Sequence, residues 1–354
     1  MRIALIAPPF ITVPPKLYGG TELFIAKLAE GLDRLGLEVI VYTNGESTIG
    51  VEKRWLYPKE QWPLSGDIHD NLKDLNHTAW AVRDAAESCE VIHLNNAAGV
   101  ACSRFVDCPF VFTVHHPHEP GLSEYYAFYP EVNFVTISHF QRTREKMPRI
   151  RTIHHGLDLS LYEYHPKPKQ YLSFLGRIAP IKGTDLAIAI AKKAGIPLKI
   201  AGEVQPMFRK YFDSQIKPHL DGKFIEYIGE ADLETKNELL GNSLALLFPI
   251  QWEEPFGLVM IEAMACGTPV LAFPGGSVAE VVRPGVSGFI SPSVDELVQH
   301  ARDIESEISR SVVRQYVEEN FALEQMVRSY ADLYEEIAGG KAVRSQTKDE
   351  RAIA

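Results

Sequence analysis

Two glutamates, Glu254 and Glu262, bracket the middle of the stretch EEPFGLVMIEAMACGTPV, with seven residues between them. Glu262 lies among Val259, Met260, Ile261, Met264 and Ala265, an apolar setting in which a carboxylate needs a partner or a task. Pro255 suits a first helical turn, so the spacing predicts a helix from about Phe256. The backbone N–H groups of Phe256, Gly257 and Leu258 would then be open to an anion. Eight helical residues rise about 12 Å, roughly the reach from a sugar ring across a diphosphate to a ribose. One carboxylate could accept hydrogen bonds from sugar hydroxyls and the other from ribose hydroxyls, with the helix start facing phosphates. The competing reading makes Glu254 a cap and pairs Glu262 with a cation. Glu253 could replace Glu254 in the first role, at a longer spacing.

Three further groups carry candidate chemistry. In LGRIAPIKGTD, Arg177 and Lys182 stand past a strand and ahead of a helix. There a planar guanidinium fork and a mobile ammonium could hold phosphates, with Gly183 allowing close approach. A solvated loop with two ordinary cations is the alternative. In LYGGTE, Gly19 and Gly20 open a helix and would let the backbone approach a phosphate. A flexible turn with Thr21 as N-cap competes with that reading, and the absence of a complete G-x-G-x-x-G leaves a dinucleotide fingerprint unsupported. FTVHHPHEP places His115, His116 and His118 beyond a strand, followed by Glu119. Three histidines suggest a metal, but no cysteine or compact carboxylate cluster accompanies them, and they could simply line a loop. Finally, QRTREKMPRIR carries Arg142, Arg144, Lys146, Arg149 and Arg151. It could attract an anionic membrane or a lipid-phosphate acceptor, or form a solvated charged face.

The elements that must position these residues alternate between short β-rich runs and helical patterns. RIALIA, LEVIVYT, EVIHLNN, PFVFTVHH and NFVTISHF read as strands, with GGTELFIAKLAEGLDRLG as a helix. The pattern restarts after RTIHHGLDLSLYEYHPKPKQ, whose Pro166 and Pro168 suit a linker. YLSFLGR, PLKIAGE, KFIEYIGE, LALLFPI and PVLAF are strands there, with GTDLAIAIAKKAG, ETKNELLGN and VDELVQHARDIESEI as helices. Such alternation implies α/β units, each a doubly wound parallel sheet, and ligands of such sheets bind beyond the carboxyl ends of the strands.

With 354 residues, the chain exceeds what one core usually supports, and two domains are expected. A net charge of −10 argues against nucleic-acid binding by general attraction, so an anion would need a local cationic site. Cys89, Cys102, Cys108 and Cys266 are scattered without metal-ligand pairing, which fits a reducing compartment. MRIALIAPPF is too soon broken by proline for a signal peptide or membrane span and reads as a buried strand.

The E-x7-E stretch resembles that of the retaining glycosyltransferases of the GT-B group, specifically glycosyltransferase family 4. GRIAPIKGTDLAI resembles the family's G-R-x-x-x-x-K-G loop, and HHGLDLSLY its N-G-V-D-x-x-x-F element, with His155 where Asn is common. LFPIQWEEPFGLVMIEAMACGTPVLAFPGGSVAEVV matches almost continuously. The likeness is strongest over residues 150–292 and looser in the first half, where the family varies with its acceptor.

The resemblance implies two Rossmann-like domains facing a central cleft. It implies residues 1–158 as an acceptor-binding domain, joined by a returning helix at about 323–338. Residues 159–322 would bind a nucleotide sugar, and 339–354 would form a polar, flexible tail. The donor would be a UDP- or GDP-linked hexose, with no cofactor or metal ion required, since no D-x-D element sits in a suitable loop. Arg177 and Lys182 would hold the diphosphate. Glu254 would meet the sugar, with Phe256, Gly257, Leu258 and Val259 alongside, and Glu262 would hold the ribose. Gly19 and Gly20 would meet phosphate from the first domain. His115, in the T-x-H position, would stand beside the reactive carbon, orienting hydroxyls or stabilising charge. His116, His118 and Glu119 are weaker acceptor contacts.

The implied activity is hexosyl transfer to the hydroxyl of a sugar, small molecule or lipid-linked acceptor with retention of configuration, in the cytoplasm, with peripheral membrane contact through residues 142–151. A nucleotide-sugar epimerase or phosphorylase on the same scaffold, or a non-catalytic sugar-nucleotide sensor, is the alternative. Nucleoside diphosphate released only with acceptor distinguishes the transferase.

Overall fold

A computed structural model of the chain describes residues 1–16, 19–64 and 66–349, with side chains described through Gly339. It contains two compact units, one of Met1–Gly156 completed by the last helix from Leu323, the other of Leu157–Ala322.

The first unit runs β1 (Arg2–Ile6), α1 (Gly20–Arg34), β2 (Glu38–Thr43), β3 (Glu52–Trp55), α2 (Ile68–Ala86), β4 (Val91–Leu94), β5 (Phe110–Val114), α3 (Pro120–Ala127), β6 (Asn133–Thr136), α4 (His139–Arg142) and β7 (Ile150–Thr152). All pairings are parallel, in the order β3-β2-β1-β4-β5-β6-β7. The apolar run Ile3–Ile6 is buried throughout because both faces of the sheet are covered. Ile3 and Leu5 face a core built with α1, whereas Ala4 and Ile6 face one built with α2.

In the second unit the elements are β8 (Leu172–Leu175), α5 (Thr184–Ala194), β9 (Leu198–Ala201), α6 (Arg209–Tyr211), β10 (Ile225–Tyr227), α7 (Leu233–Gly241), β11 (Leu246–Phe248), α8 (Leu258–Ala265), β12 (Val270–Ala272), α9 (Val278–Val281), β13 (Gly288–Ile290), α10 (Val294–Glu307) and α11 (Arg310–Asn320). Its parallel sheet has the order β10-β9-β8-β11-β12-β13. Each sheet therefore reverses its winding once, between β1 and β4 and between β8 and β11. Loops leaving the carboxyl ends of strands diverge at such a switch point, which leaves room for a ligand.

The last helix, α12 (Leu323–Asp349), packs on the first unit. Leu323, Met326, Val327, Tyr330, Leu333 and Tyr334 are buried in the core shared with α1 and β1. Full burial of such side chains contributes about 1.5–3 kcal/mol each. Gly31 of α1 allows the close crossing, since a Cβ there would overlap the Val327 side chain. The sequence places the helix end near 338 and a flexible tail after it. The backbone instead stays helical to Asp349, where Lys, Ala, Arg and Gln are competent helix formers. The remainder of the expected tail, 350–354, lies outside the described residues. The longest helices absent from the sequence reading are α2 and α11; the short α3, α4 and α6 are absent from it too.

Candidate functional site

In the second unit, the two loops at the switch point carry most of the residues with candidate chemistry. Arg177 follows β8 by two residues, and Lys182 closes a short 3-10 turn, Pro180–Lys182. Gly183 then adopts φ +71, and a Cβ there would also overlap the Pro249 carbonyl, so the turn that presents Lys182 requires glycine. From the other strand, the loop after β11 brings Trp252 and Glu254.

These residues meet. Lys182 Nζ lies 2.5 Å from Glu254 Oε2, in a pair whose side chains are 18% and 9% exposed. Trp252 Nε1 donates to the same oxygen at 2.9 Å, and the ammonium sits 4.6 Å from the Trp252 ring centroid. Glu254 is thus an ion-pair partner and not a helix cap. Its loop is fixed from behind: Ser277 N–H donates to the Glu254 carbonyl at 2.9 Å, and Ser277 Oγ donates to that of Phe256 at 2.9 Å. Gly276, at φ +59, passes so close that a Cβ would strike the Glu254 backbone.

Arg177 has looser company. Its Nη1 donates to Gln205 Oε1 at 3.4 Å, and the guanidinium lies 5.7 Å from the Phe208 ring centroid. Its Nε is buried without a hydrogen-bond partner, and it forms no ion pair among the described residues. A guanidinium with donors to spare and no carboxylate attached is suited to an anionic ligand.

Helix α8 begins at Leu258, two residues later than the Phe256 start expected from Pro255. The reason is Gly257, whose φ of +81 makes it the N-cap. The helix start therefore presents the N–H groups of Leu258 and Val259. The Phe256 side chain is core, with its ring 5.9 Å from that of Phe321. Glu254 and Glu262 consequently do not stand at the two ends of one helix.

Glu262 is 4% exposed. Its Oε1 accepts from Tyr162 OH at 2.9 Å and from Lys236 Nζ at 3.0 Å, so the buried carboxylate does have a cation. Burial, followed by the Glu262 charge, drives the Tyr162 hydroxyl far above the ordinary phenol range. At the other end of α8, Arg314 donates to the Ala265 carbonyl at 2.5 Å and Arg310 to that of Cys266 at 3.3 Å. Both cations come from α11 and complement the helix C-terminus.

The first unit presents its candidates after β1, β4 and β5. Gly19, at φ +146, is the N-cap of α1 and Gly20 its first residue, so the cap is Gly19 and not Thr21. Leu17 and Tyr18 of the same motif lie outside the described residues. Glu22, in the first turn, is 6% exposed, and burial raises its carboxyl to about 7.

His115 is half-buried. Its Nε2 lies 2.9 Å from Asn95 Oδ1. The edge of Phe24 packs at 4.9 Å, and the His155 ring lies parallel at 5.9 Å. Burial, then the neighbouring His155, His93 and His116, hold the His115 imidazole well below its ordinary value. His155 itself is lowered to about 3, mainly by burial. His116 is engaged at both nitrogens, with Tyr126 OH at 2.7 Å and the Pro117 carbonyl at 2.7 Å. It therefore braces the loop, with no ring nitrogen left for an acceptor. His118 pairs with Glu145 at 3.1 Å, while Glu119 is exposed at the start of α3. In the basic stretch, Arg151 meets both Glu336 oxygens at 3.0 Å and Arg149 donates to the Glu131 carbonyl at 3.3 Å. Among the described residues no helix is long and apolar enough to cross a membrane.

Sequence reasoning missed Trp252, Tyr162, Lys236, Ser277 and Asn95. Two signals were available: PGGS after a strand for the brace behind Glu254, and the polar pair Asn95-Asn96 directly after β4. The Tyr162 and Lys236 contacts are long-range and leave no local trace.

Two family models match the chain: "Glycosyltransferase Family 4" over residues 18–161 and "Glycosyl transferases group 1" over residues 163–320. A D-inositol 3-phosphate glycosyltransferase of Mycobacterium marinum is 30% identical over 155 residues, covering 40% of this chain and 33% of its own length. The chain thus matches about a third of the length of such curated relatives. AviGT4, a glycosyltransferase involved in avilamycin A biosynthesis, has a solved structure with a TM-score of 0.74 at 24% identity, covering 96% of this chain and 98% of its own. Anabaena HepE, solved in complex with UDP-glucose, gives 0.75 at 18% identity, covering 95% and 100%. With a family model on each half and a GT-B architecture of two parallel sheets, the chain belongs to glycosyltransferase family 4, the group 1 glycosyl transferases.

Proposed function

We propose that the protein transfers a hexosyl group from a nucleotide-diphosphate sugar to an acceptor hydroxyl with retention of configuration. The observation that carries this reading is the Lys182–Glu254 pair at the switch point of the second sheet, beside the start of α8, with Arg177 on the same loop after β8 as Lys182. Two cations and free helix N–H groups suit a diphosphate, and a carboxylate suits sugar hydroxyls. The HepE complex with UDP-glucose supports a donor of this class.

In this reading Lys182 exchanges Glu254 for the donor diphosphate. Arg177, with its unused donors, takes the same group in a fork. As the glycosidic bond breaks, negative charge grows on the leaving oxygen, and these preorganised cations stabilise it more than they stabilise the ground state. Glu254, still held by Trp252, is then free to accept from sugar hydroxyls. Glu262, paired with Lys236 and oriented by Tyr162, accepts from the ribose. The first unit holds the acceptor. Retention rests on the family likeness, with the acceptor hydroxyl attacking from the face the diphosphate leaves and the departing phosphate taking its proton.

The test has two stages. A panel of UDP- and GDP-hexoses is scored for thermal stabilisation, since a bound donor raises apparent stability by mass action. The stabilising donor is then incubated with candidate acceptors, following nucleoside diphosphate release and the anomeric configuration of the product by NMR. Acceptor-dependent release with an unchanged anomer is expected. An isomerised donor, phosphate-dependent cleavage, or binding without turnover would replace this reading with an epimerase, a phosphorylase or a sensor respectively.

A further inference from the structure

The side chain of Asn95 follows β4 directly and is held by the end of β1. Its backbone N–H and its Nδ2 both donate to the Ile6 carbonyl at 3.2 Å. A carbonyl oxygen can only accept, so the amide nitrogen must face Ile6, and Oδ1 must face His115. Oδ1 carries no hydrogen. Its 2.9 Å contact with His115 Nε2 therefore requires the imidazole proton on Nε2. A neutral imidazole has one N–H, which leaves Nδ1 as a lone-pair acceptor. No described residue donates to that Nδ1.

The surroundings keep the ring neutral. α1 contributes the apolar edge of Phe24. The titratable groups acting on His115 are His93 on β4, His116 beside it and His155 beyond β7. Each disfavours a second proton, and among the described residues no carboxylate acts on the ring to favour one. His93 is itself engaged at both nitrogens, by Tyr334 OH at 2.6 Å and Thr113 Oγ1 at 2.8 Å.

We propose that Asn95 is a positioning residue that fixes His115 as the neutral Nε2–H tautomer, so that Nδ1 accepts a hydrogen bond from a substrate hydroxyl. Of the two tasks the family likeness allows His115, an Nε2–H ring whose Nδ1 has no donor among the described residues fits hydroxyl orientation. That the hydroxyl belongs to a sugar rests on the glycosyl-transfer reading; the tautomer does not.

The test uses the full chain with 15N-labelled histidine rings. Long-range proton–nitrogen correlation reports tautomer and charge without any ligand, and His115→Gln assigns the signal. The wild type is expected to show the Nε2–H pattern unchanged from pH 5 to 9. Asn95→Ala should mix the two tautomers and lower kcat/KM about tenfold, the cost of losing one hydrogen-bonded orientation. Asn95→Asp should place a charge on Nε2, raise the imidazole pKa into the measured range, and give turnover a new acid limb as Nδ1 becomes a donor. A wild-type Nδ1–H pattern, an imidazolium at pH 7, or an Asn95→Ala or Asn95→Asp spectrum identical to wild type overturns the assignment. The expected spectra without transfer of any hexose would sustain the assignment while removing the transferase reading.

Discussion

Lys182 and Glu254 form a largely buried ion pair at 2.5 Å, although the donor reading assigns one to the diphosphate and the other to the sugar. Without donor, each neutralises the other. Removing one partner of such a pair leaves the second as an uncompensated charge in a poorly solvated site. Variants at either position must therefore be checked for folding before their kinetics are read.

Lys182→Ala is expected to lower turnover at saturating donor and acceptor by about 100- to 1000-fold, or about 2.7–4 kcal/mol, because its ammonium meets charge that grows only as the bond breaks. Arg177→Ala should be similar or worse, since its fork can make two bonds. Near-normal turnover in a folded Lys182→Ala enzyme would place that lysine outside the reaction.

Trp252→Phe retains a ring beneath the ammonium but removes the Nε1–H that donates to Glu254. Its kcat/KM for the donor should fall about ten- to hundredfold, as for loss of one hydrogen bond to a charged group. Unchanged donor kinetics would mean that Glu254 needs no help from Trp252.

Glu262→Ala should weaken free nucleoside diphosphate, whereas Glu254→Ala should leave that ligand bound and damage discrimination among sugars. Calorimetric titration of both variants with the nucleotide and with the sugar nucleotide separates the roles. The reverse pattern would mean that the donor lies the other way round. Lys236→Met should resemble Glu262→Ala, because it strips the buried carboxylate of its cation.

A chelator should leave transfer largely intact, because Arg177 and Lys182 supply the positive charge at the diphosphate. Activity lost in chelator and restored by a divalent ion would overturn this.

Stability of the first unit should depend on Glu22. Its folded-state carboxyl is raised from 4.5 to about 7, by burial, so the folded protein holds the proton more tightly than the unfolded chain. The associated stability is complete below about pH 4.5 and is lost as pH rises through about 7. The difference corresponds to about 3 kcal/mol. Glu22→Gln, which mimics the protonated form, should melt higher than wild type at pH 8 and equally at pH 4. Parallel melting curves across that range would show that Glu22 ionises freely in the folded state.

Much of this site was legible because parallel sheets deliver ligand contacts at strand ends. Arg177, Lys182, Glu254 and His115 each follow a run of apolar β-formers, and that placement needs no long-range information. The start of α8 was misplaced because Pro255 signals a first turn, while the positive φ of Gly257 postpones it. Helix α2 went unread because Ile68, Leu72 and Leu75 are exposed at 66%, 52% and 44%, so its apolar pattern does not mark its buried face. α11 was missed because only Val313 and Val317 are buried along it, a stripe too narrow to stand out. The partners of Glu262 lie 100 and 26 residues away in sequence, and only the folded chain brings them together.

The return of α12 to the first unit also governs the order in which the chain can mature. Leu157–Ala322 is one uninterrupted segment, whereas the core around α1 and β1 needs Leu323, Met326, Val327, Tyr330 and Tyr334 from beyond it. During synthesis the second unit can close as soon as its own residues have emerged, while the first waits with the α1 face that receives α12 uncovered. That open apolar face is where chaperones and proteases would act on a nascent or truncated chain. A stop codon ahead of Leu323 would accordingly spare the second unit and leave the N-terminal one, though fully translated, without the helix that finishes it.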